Sequence, residues 1–189
     1  MKLHELMFSF KSKNKYRDIT PEIYQNIIER SRSKFFYLNL DIDDCFESRF
    51  DIIILHSFII FYFLKNFSAK EKELSQLLFD FMFNDFDNNL REMGFGDIAV
   101  NKKMKVFITA FYGRITNYSQ GVDQITNNKD DQILIKAILN NIYKGKDSNL
   151  SYLKFFKDYI LKNLEHFNSR DIKMNINERF KFIDFPLEK

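Results

Sequence analysis

Leu78–Arg114, LFDFMFNDFDNNLREMGFGDIAVNKKMKVFITAFYGR, joins two strongly patterned segments through one glycine-marked turn, and its periodicity decides the fold. Phe79, Phe83, Phe86, Leu90 and Met93 recur at steps of three and four, which lines five large apolar groups along one helical stripe. Such a stripe is expected to be buried. Gly94 follows where a left-handed residue closes a helix, Gly96 adds a second permissive position, and Asp97 is the expected cap of the next helix. Beyond it Met104, Phe107, Phe111, Ile115 and Tyr118 repeat the spacing, so the two segments should pack as a helical hairpin. Gly113 is the expected point of close approach for a crossing helix.

Upstream, Ser68-Ala69-Lys70-Glu71 has the form of a capping box opening the first of these helices, after a break near Asn66 to Ser68. From Ile52 to Leu64 almost every residue is apolar, broken by His56 and Ser57. A helix of that length rises only about 20 Å against a hydrocarbon core of about 30 Å, so a buried central helix is expected rather than a membrane span. Thr20-Pro21-Glu22 reads as the start of a short first helix. After Gly121, periodic segments lie around Ile133 to Ile142 and around Leu150 to Leu164, the second with Leu153, Phe156, Ile160 and Leu164 in register. From Asn168 the chain mixes charges with Phe180, Phe182 and Phe185 and shows no helical stripe.

A length of 189 residues suits one domain, and 5 Gly with 2 Pro favour long helices over a turn-rich β fold. The expected fold is therefore all-α, a single compact bundle of five to seven helices. Its expected organisation is a basic, flexible N-terminal arm over residues 1–19, a helical domain over 20–167 and a C-terminal tail over 168–189. A net charge of +3 does not by itself imply nucleic-acid binding. Charge is uneven, however: Lys2, Lys11, Lys13, Lys15 and Arg17 crowd the arm, while Asp41, Asp43, Asp44, Glu47 and Asp51 follow further on. Cys45 is the single cysteine, so no internal disulfide can form, and its acidic neighbours do not activate a thiolate. A reducing compartment, cytosol or matrix, is expected, because the N-terminus lacks an apolar core with a small-residue cleavage site.

The polar residues give little catalytic signal. Asp80, Asp85 and Asp87 are spaced by five and two, which does not converge three carboxylates on a metal, and Asp87 with Arg91 forms an i,i+4 pair. His56 inside the most apolar helix suits a neutral, hydrogen-bonded core imidazole. Gly94-Phe95-Gly96 follows a helix and lacks a third glycine, unlike a phosphate loop. No nucleophile motif is present, so neither an enzyme nor a cofactor is expected. Between Asp97 and Asp123 there is no acidic residue, while Lys102, Lys103, Lys105 and Arg114 supply positive charge. Lys103 and Arg114 are eleven residues apart and nearly eclipsed on a helix, which makes this the candidate contact strip, together with Arg91.

Asp85, Asp87, Leu90, Arg91, Glu92, Met93, Gly94, Gly96 and Asp97, then Lys102 and Lys103, then Ala110 to Arg114, follow the order D-x-D-x-x-L-R-E-M-G-x-G-D, basic turn, A-F-Y-G-R. In this the chain resembles the ubiquinol-cytochrome c chaperone family. A second block agrees: Phe36-Tyr37, then Arg49, Phe50 and Asp51, then Leu55 and His56. The likeness extends less sharply over residues 21–165. It implies a binding and holding protein, an assembly factor for ubiquinol-cytochrome c reductase, the cytochrome bc1 complex, with newly made cytochrome b as client and no catalysis. Mitochondrial relatives imply the matrix side of the inner membrane, a small partner subunit and the ribosomal exit. The short N-terminus without a clear transit peptide looks more like a bacterial member, peripheral to the cytoplasmic face of the inner membrane, with no DNA as partner. Arg49, Asp51, His56, Asp85, Asp87, Gly94, Gly96, Asp97, Tyr112 and Gly113 are then structural motif positions. A hydrophobic groove would shield an apolar client segment while the basic strip engages charged loops or headgroups. The alternative is a ribosome- or RNA-binding adaptor, whose contacts would weaken steeply with salt.

Overall fold

A run that is apolar on every side, as from Ile52 to Leu64, fits only the inside of a bundle. In the computed structural model it is the middle of α3 (Phe46–Lys65), where Ile52, Ile54, Leu55, Phe58, Ile59 and Ile60 are all fully buried. The structure describes residues 3–65, 69–146, 148–169 and 180–185, the side chains of 3–15 and 69–71 excepted. Around α3 stand α1 (Leu3–Ser31), α2 (Lys34–Asn39), α4 (Ala69–Glu92), α5 (Asp97–Asn128), α6 (Gln132–Ile142) and α7 (Leu150–Ser169). These seven helices, with no strand among the described residues, form an all-α bundle. α1 crosses α3 and α4, α5 packs on α3, α4 and α6, and α7 closes the far side against α3 and α6. No described helix is long and apolar enough to cross a membrane.

The hairpin forms through aromatic contacts: Phe83 meets Phe111 edge to face at 5.5 Å, and Phe79 meets Phe111 at 5.4 Å. At the corner Gly94 has φ +88°, the Phe95 N–H donates to the Leu90 carbonyl at 3.2 Å, and the Gly94 N–H donates to the Arg91 carbonyl at 2.9 Å. This pair of bonds is a Schellman closure. Two local expectations are corrected here. Met93 is not on the buried stripe but 61% exposed, because α4 ends at Glu92 and the chain leaves the helix path there. Asp97 is not a cap: Gly96 occupies that position without a side-chain bond, and Asp97 is the first residue of α5.

The first helix is also corrected. Pro21 lies inside α1 rather than at its start, so the boundary expected between residues 19 and 20 falls within a continuous helix. Proline in such a position forfeits its own backbone bond to the carbonyl four residues before it, that of Arg17. The expected capping box begins at Ser68, which lies outside the described residues.

Of the glycines, Gly121 and not Gly113 marks the close approach. A Cβ on Gly121 would stand 2.7 Å from the Leu134 Cα, whereas one on Gly113 meets nothing within 4 Å. Gly121→Ala should therefore push α6 off α5 and cost about 1–3 kcal/mol, while Gly113→Ala should gain about 0.5–1 kcal/mol from helix propensity. Thermal melts followed by circular dichroism check the pair; a Gly121→Ala protein as stable as the parent would refute the assigned contact.

The C-terminal segment packs into the bundle. Phe180, Phe182 and Phe185 are buried, Phe185 stacks on Phe35 at 4.3 Å, and Phe180 meets Phe63 and Phe167 at 5.9 and 5.7 Å.

Candidate functional site

Ile28 of α1, Phe50 and the half-buried Ile53 of α3, and Leu90 of α4 line a cleft between α1, α3 and α4, closed on one side by Phe107 of α5. Phe50 lies 4.7 Å from Phe107 and 5.5 Å from Phe86, ring centre to ring centre, so the walls are aromatic. Phe46 is 46% exposed at one rim and Met93 stands at the other, where the Schellman corner turns it outward. A volume of about 270 Å³ is small for an organic cofactor and suits a few apolar side chains of a partner.

Charge borders this apolar floor. The Tyr24 hydroxyl donates to Asp85 Oδ2 at 2.8 Å, and burial together with that carboxylate pushes the phenol well above its ordinary pKa. Arg49 forks onto Asp44 at 2.6 and 3.0 Å on the open side. Tyr37, pushed up to about 12 by burial, donates to the Ser31 carbonyl at 3.0 Å. Arg32 lines the same mouth, with no carboxylate in ion-pair range among the described residues.

The motif positions divide among several settings. Arg49, Asp85, Leu90 and Met93, from both blocks, meet at the cleft. Asp80, Asp85 and Asp87 go to three different partners, Gln76, Tyr24 and Arg91. His56 is fully buried: Nδ1 donates to the Ile52 carbonyl at 2.8 Å, and Nε2 accepts from the Tyr159 hydroxyl at 3.0 Å. The Ser31 hydroxyl lies 3.0 Å from Nδ1. Burial lowers its pKa to about 3, so the imidazole is neutral at physiological pH. Gly113 is exposed on α5, and the half-exposed Tyr112 leans its ring on Phe79 of α4 at 5.7 Å.

The basic strip is not one surface, which corrects the sequence expectation. Lys103 and Arg114 do share a side of α5, but it is the inner side. Lys103 lies over the Phe95 ring at 4.6 Å, and Arg114 Nη2 reaches Asp51 Oδ1 at 2.6 Å. Arg91 is held between Asp87 and Asp97, each at 2.5 Å. Lys102 and Lys105 remain on the open side. Sequence reasoning missed Phe46 and Arg32 at the cleft and Lys144 on Asp51, whose pairing spans 93 residues and leaves no local pattern.

Known proteins resemble this chain in sequence and in fold. A model of the family described as ubiquinol-cytochrome C chaperone matches residues 38–182. Ubiquinol-cytochrome c reductase complex assembly factor 1 of Homo sapiens is 24% identical over 158 residues, 84% of this chain and 51% of that protein. Protein CBP3, mitochondrial, of Saccharomyces cerevisiae is 28% identical over 156 residues, 80% of this chain and 45% of that protein. The chain thus spans about half the length of the curated relatives it matches. The crystal structure of the Cbp3 homolog from Brucella abortus superposes with a TM-score of 0.74 at 27% identity, covering 95% of this chain and 97% of that one. With the match running from residue 38 in α2 to Phe182 and containing the Asp85–Arg114 block and the Arg49–His56 part of the other, this chain belongs to the ubiquinol-cytochrome C chaperone family.

Proposed function

We propose that this protein is an assembly chaperone for ubiquinol-cytochrome c reductase that binds newly made cytochrome b, with the α1–α3–α4 cleft taking an apolar segment of the client. One observation carries the reading: residues of both motif blocks, Arg49 with Asp85, Leu90 and Met93, converge on one aromatic cleft whose rim exposes Phe46 and Met93. Apolar contact there supplies affinity, and Arg32 and Arg49 at the mouth orient charged ends of the segment. The protein works by holding rather than by catalysis, at the cytoplasmic face of a bacterial inner membrane, in peripheral contact with it. A small partner subunit and the ribosomal exit belong to the same reading.

The test is purification of the tagged chain from gently solubilised host membranes, with mass spectrometry and the haem spectrum as readouts. Cytochrome b should be enriched without the finished complex. Phe46→Asp with Met93→Asp should cut that recovery at least about tenfold, since losing two apolar contacts weakens binding by more than 1.4 kcal/mol. Met93 is 61% exposed, and Phe46, 46% exposed, gives up one ring contact with Phe107 at 5.9 Å, so the melting temperature should fall only slightly. Recovery of ribosomal proteins at low salt, with no cytochrome b, would establish the adaptor reading instead.

A further inference from the structure

The outer face of α5 sets exposed aliphatic side chains beside lysines. Ile98 is 88% exposed and Val106 60%, on the side of α5 that also presents Lys102 and Lys105, while Tyr112, 55% exposed, leans its ring on Phe79 of α4 at 5.7 Å. Steps of three and four from Ile98 through Lys102, Lys105 and Thr109 to Tyr112 keep these residues in one line along the helix. No acidic residue interrupts residues 98–122. The carboxylates at either end are engaged: Asp97 with Arg91 at 2.5 Å, and Asp123 with the Tyr62 hydroxyl at 2.6 Å and Lys65 at 3.2 Å. Among the described residues neither Lys102 nor Lys105 has an ion-pair partner.

We propose that this face of α5 lies flat on a bilayer rich in anionic lipid. The Ile98 and Val106 side chains enter the boundary between headgroups and acyl chains, and the two lysines meet lipid phosphates. An RNA backbone would leave the two aliphatic side chains without a role and offers phosphates that two lysines along about 20 Å of helix barely engage. Phe107, nine positions and hence half a turn from Ile98, lines the cleft on the opposite side of α5. A membrane under the outer face therefore leaves the cleft open. The inference deepens the peripheral-membrane part of the proposed function and does not depend on the identity of the client.

Co-sedimentation of the full chain with vesicles tests it. Binding is expected to phosphatidylcholine vesicles containing phosphatidylglycerol, to fall as salt rises, and to be weak on phosphatidylcholine alone. K102E/K105E should lower the partition coefficient by roughly tenfold or more, and I98S/V106S should weaken it as well, both with unchanged melting temperatures. Recovery of cytochrome b from detergent-solubilised membranes should be the same for these variants as for the parent, which separates failure of the lipid surface from failure of the client reading. Equal vesicle binding by K102E/K105E and the parent, as when the basic N-terminal residues do the binding, would overturn the proposal. So would binding to polyuridylic acid with none to vesicles.

Discussion

Asp51→Asn should lower the unfolding free energy by about 3 kcal/mol and the melting temperature by roughly 6–12 °C. The carboxylate sits in the second turn of α3, 1% exposed, and two cations from distant parts of the chain close on it. Arg114 of α5 reaches Oδ1 at 2.6 Å, and Lys144, just after α6, binds Oδ2 while also donating to the Asn141 carbonyl at 2.9 Å. Asparagine keeps the shape and removes the charge, so the protein is left with buried cations that nothing neutralises. Arg114 carries most of that penalty, because its side chain is only 19% exposed. Lys144, at 41%, can turn toward water, which holds the effect at the lower end of what breaking a buried pair costs.

A second variant separates loss of charge balance from loss of packing. Asp51→Asn with Arg114→Gln removes both charges, and the double variant should be more stable than the sum of the single changes by at least about 1 kcal/mol. Urea unfolding followed by circular dichroism gives the full cycle. A single Asp51→Asn variant within about 1 kcal/mol of the parent would show that water already solvates the cluster.

The same cluster marks how far sequence reasoning reaches. Period and spacing revealed the α4–α5 hairpin, because a stripe of Phe79, Phe83, Phe86 and Leu90 has one way to avoid water. They also put Lys103 and Arg114 on a common side of α5. What they lack is the direction of that side relative to the core. Arg114 turns inward because Asp51 waits there, and pairings across that much sequence leave no period to detect. The glycines follow the same logic. Gly94 was legible because a helix end demands a left-handed residue, whereas choosing between Gly113 and Gly121 requires knowing where α6 crosses. Met93 misled because the three-and-four spacing ran one residue past the end of the helix. At the cleft, the motif residues were legible as a set, but Phe46 and Arg32 come from segments whose local pattern says nothing of their meeting. The tail did carry a signal, the alternation Phe180-x-Phe182 that puts two rings on one side of an extended chain. Charges between and after them masked it.

That tail supplies the other large effect: Phe182→Ala should cost about 3–5 kcal/mol and lower the melting temperature by roughly 10 °C or more. The Phe182 ring, 4% exposed, lies edge-on to His56 at 4.8 Å and meets Phe167 at 5.6 Å, so its loss opens a cavity beside a fully buried polar group of α3. The segment's backbone cannot easily shift to fill it. The Phe182 carbonyl accepts from Arg30 Nη2 at 3.2 Å, and the Ile183 N–H donates to Asn163 Oδ1 at 3.0 Å. Asn163 is itself fully buried and donates to the Tyr159 carbonyl, while Phe185 stays pinned between Phe35 and the Arg30 guanidinium, 4.6 Å above its ring. These anchors tie the segment to α1, α2 and α7 at once, so the cost should appear as one cooperative transition at lower temperature rather than as early release of the tail. Phe182→Leu, which keeps most of the volume, should cost less than half as much. Differential scanning calorimetry distinguishes the outcomes. A loss below about 1 kcal/mol, or a separate low-temperature transition, would mean that the tail rests on the bundle without being part of its core.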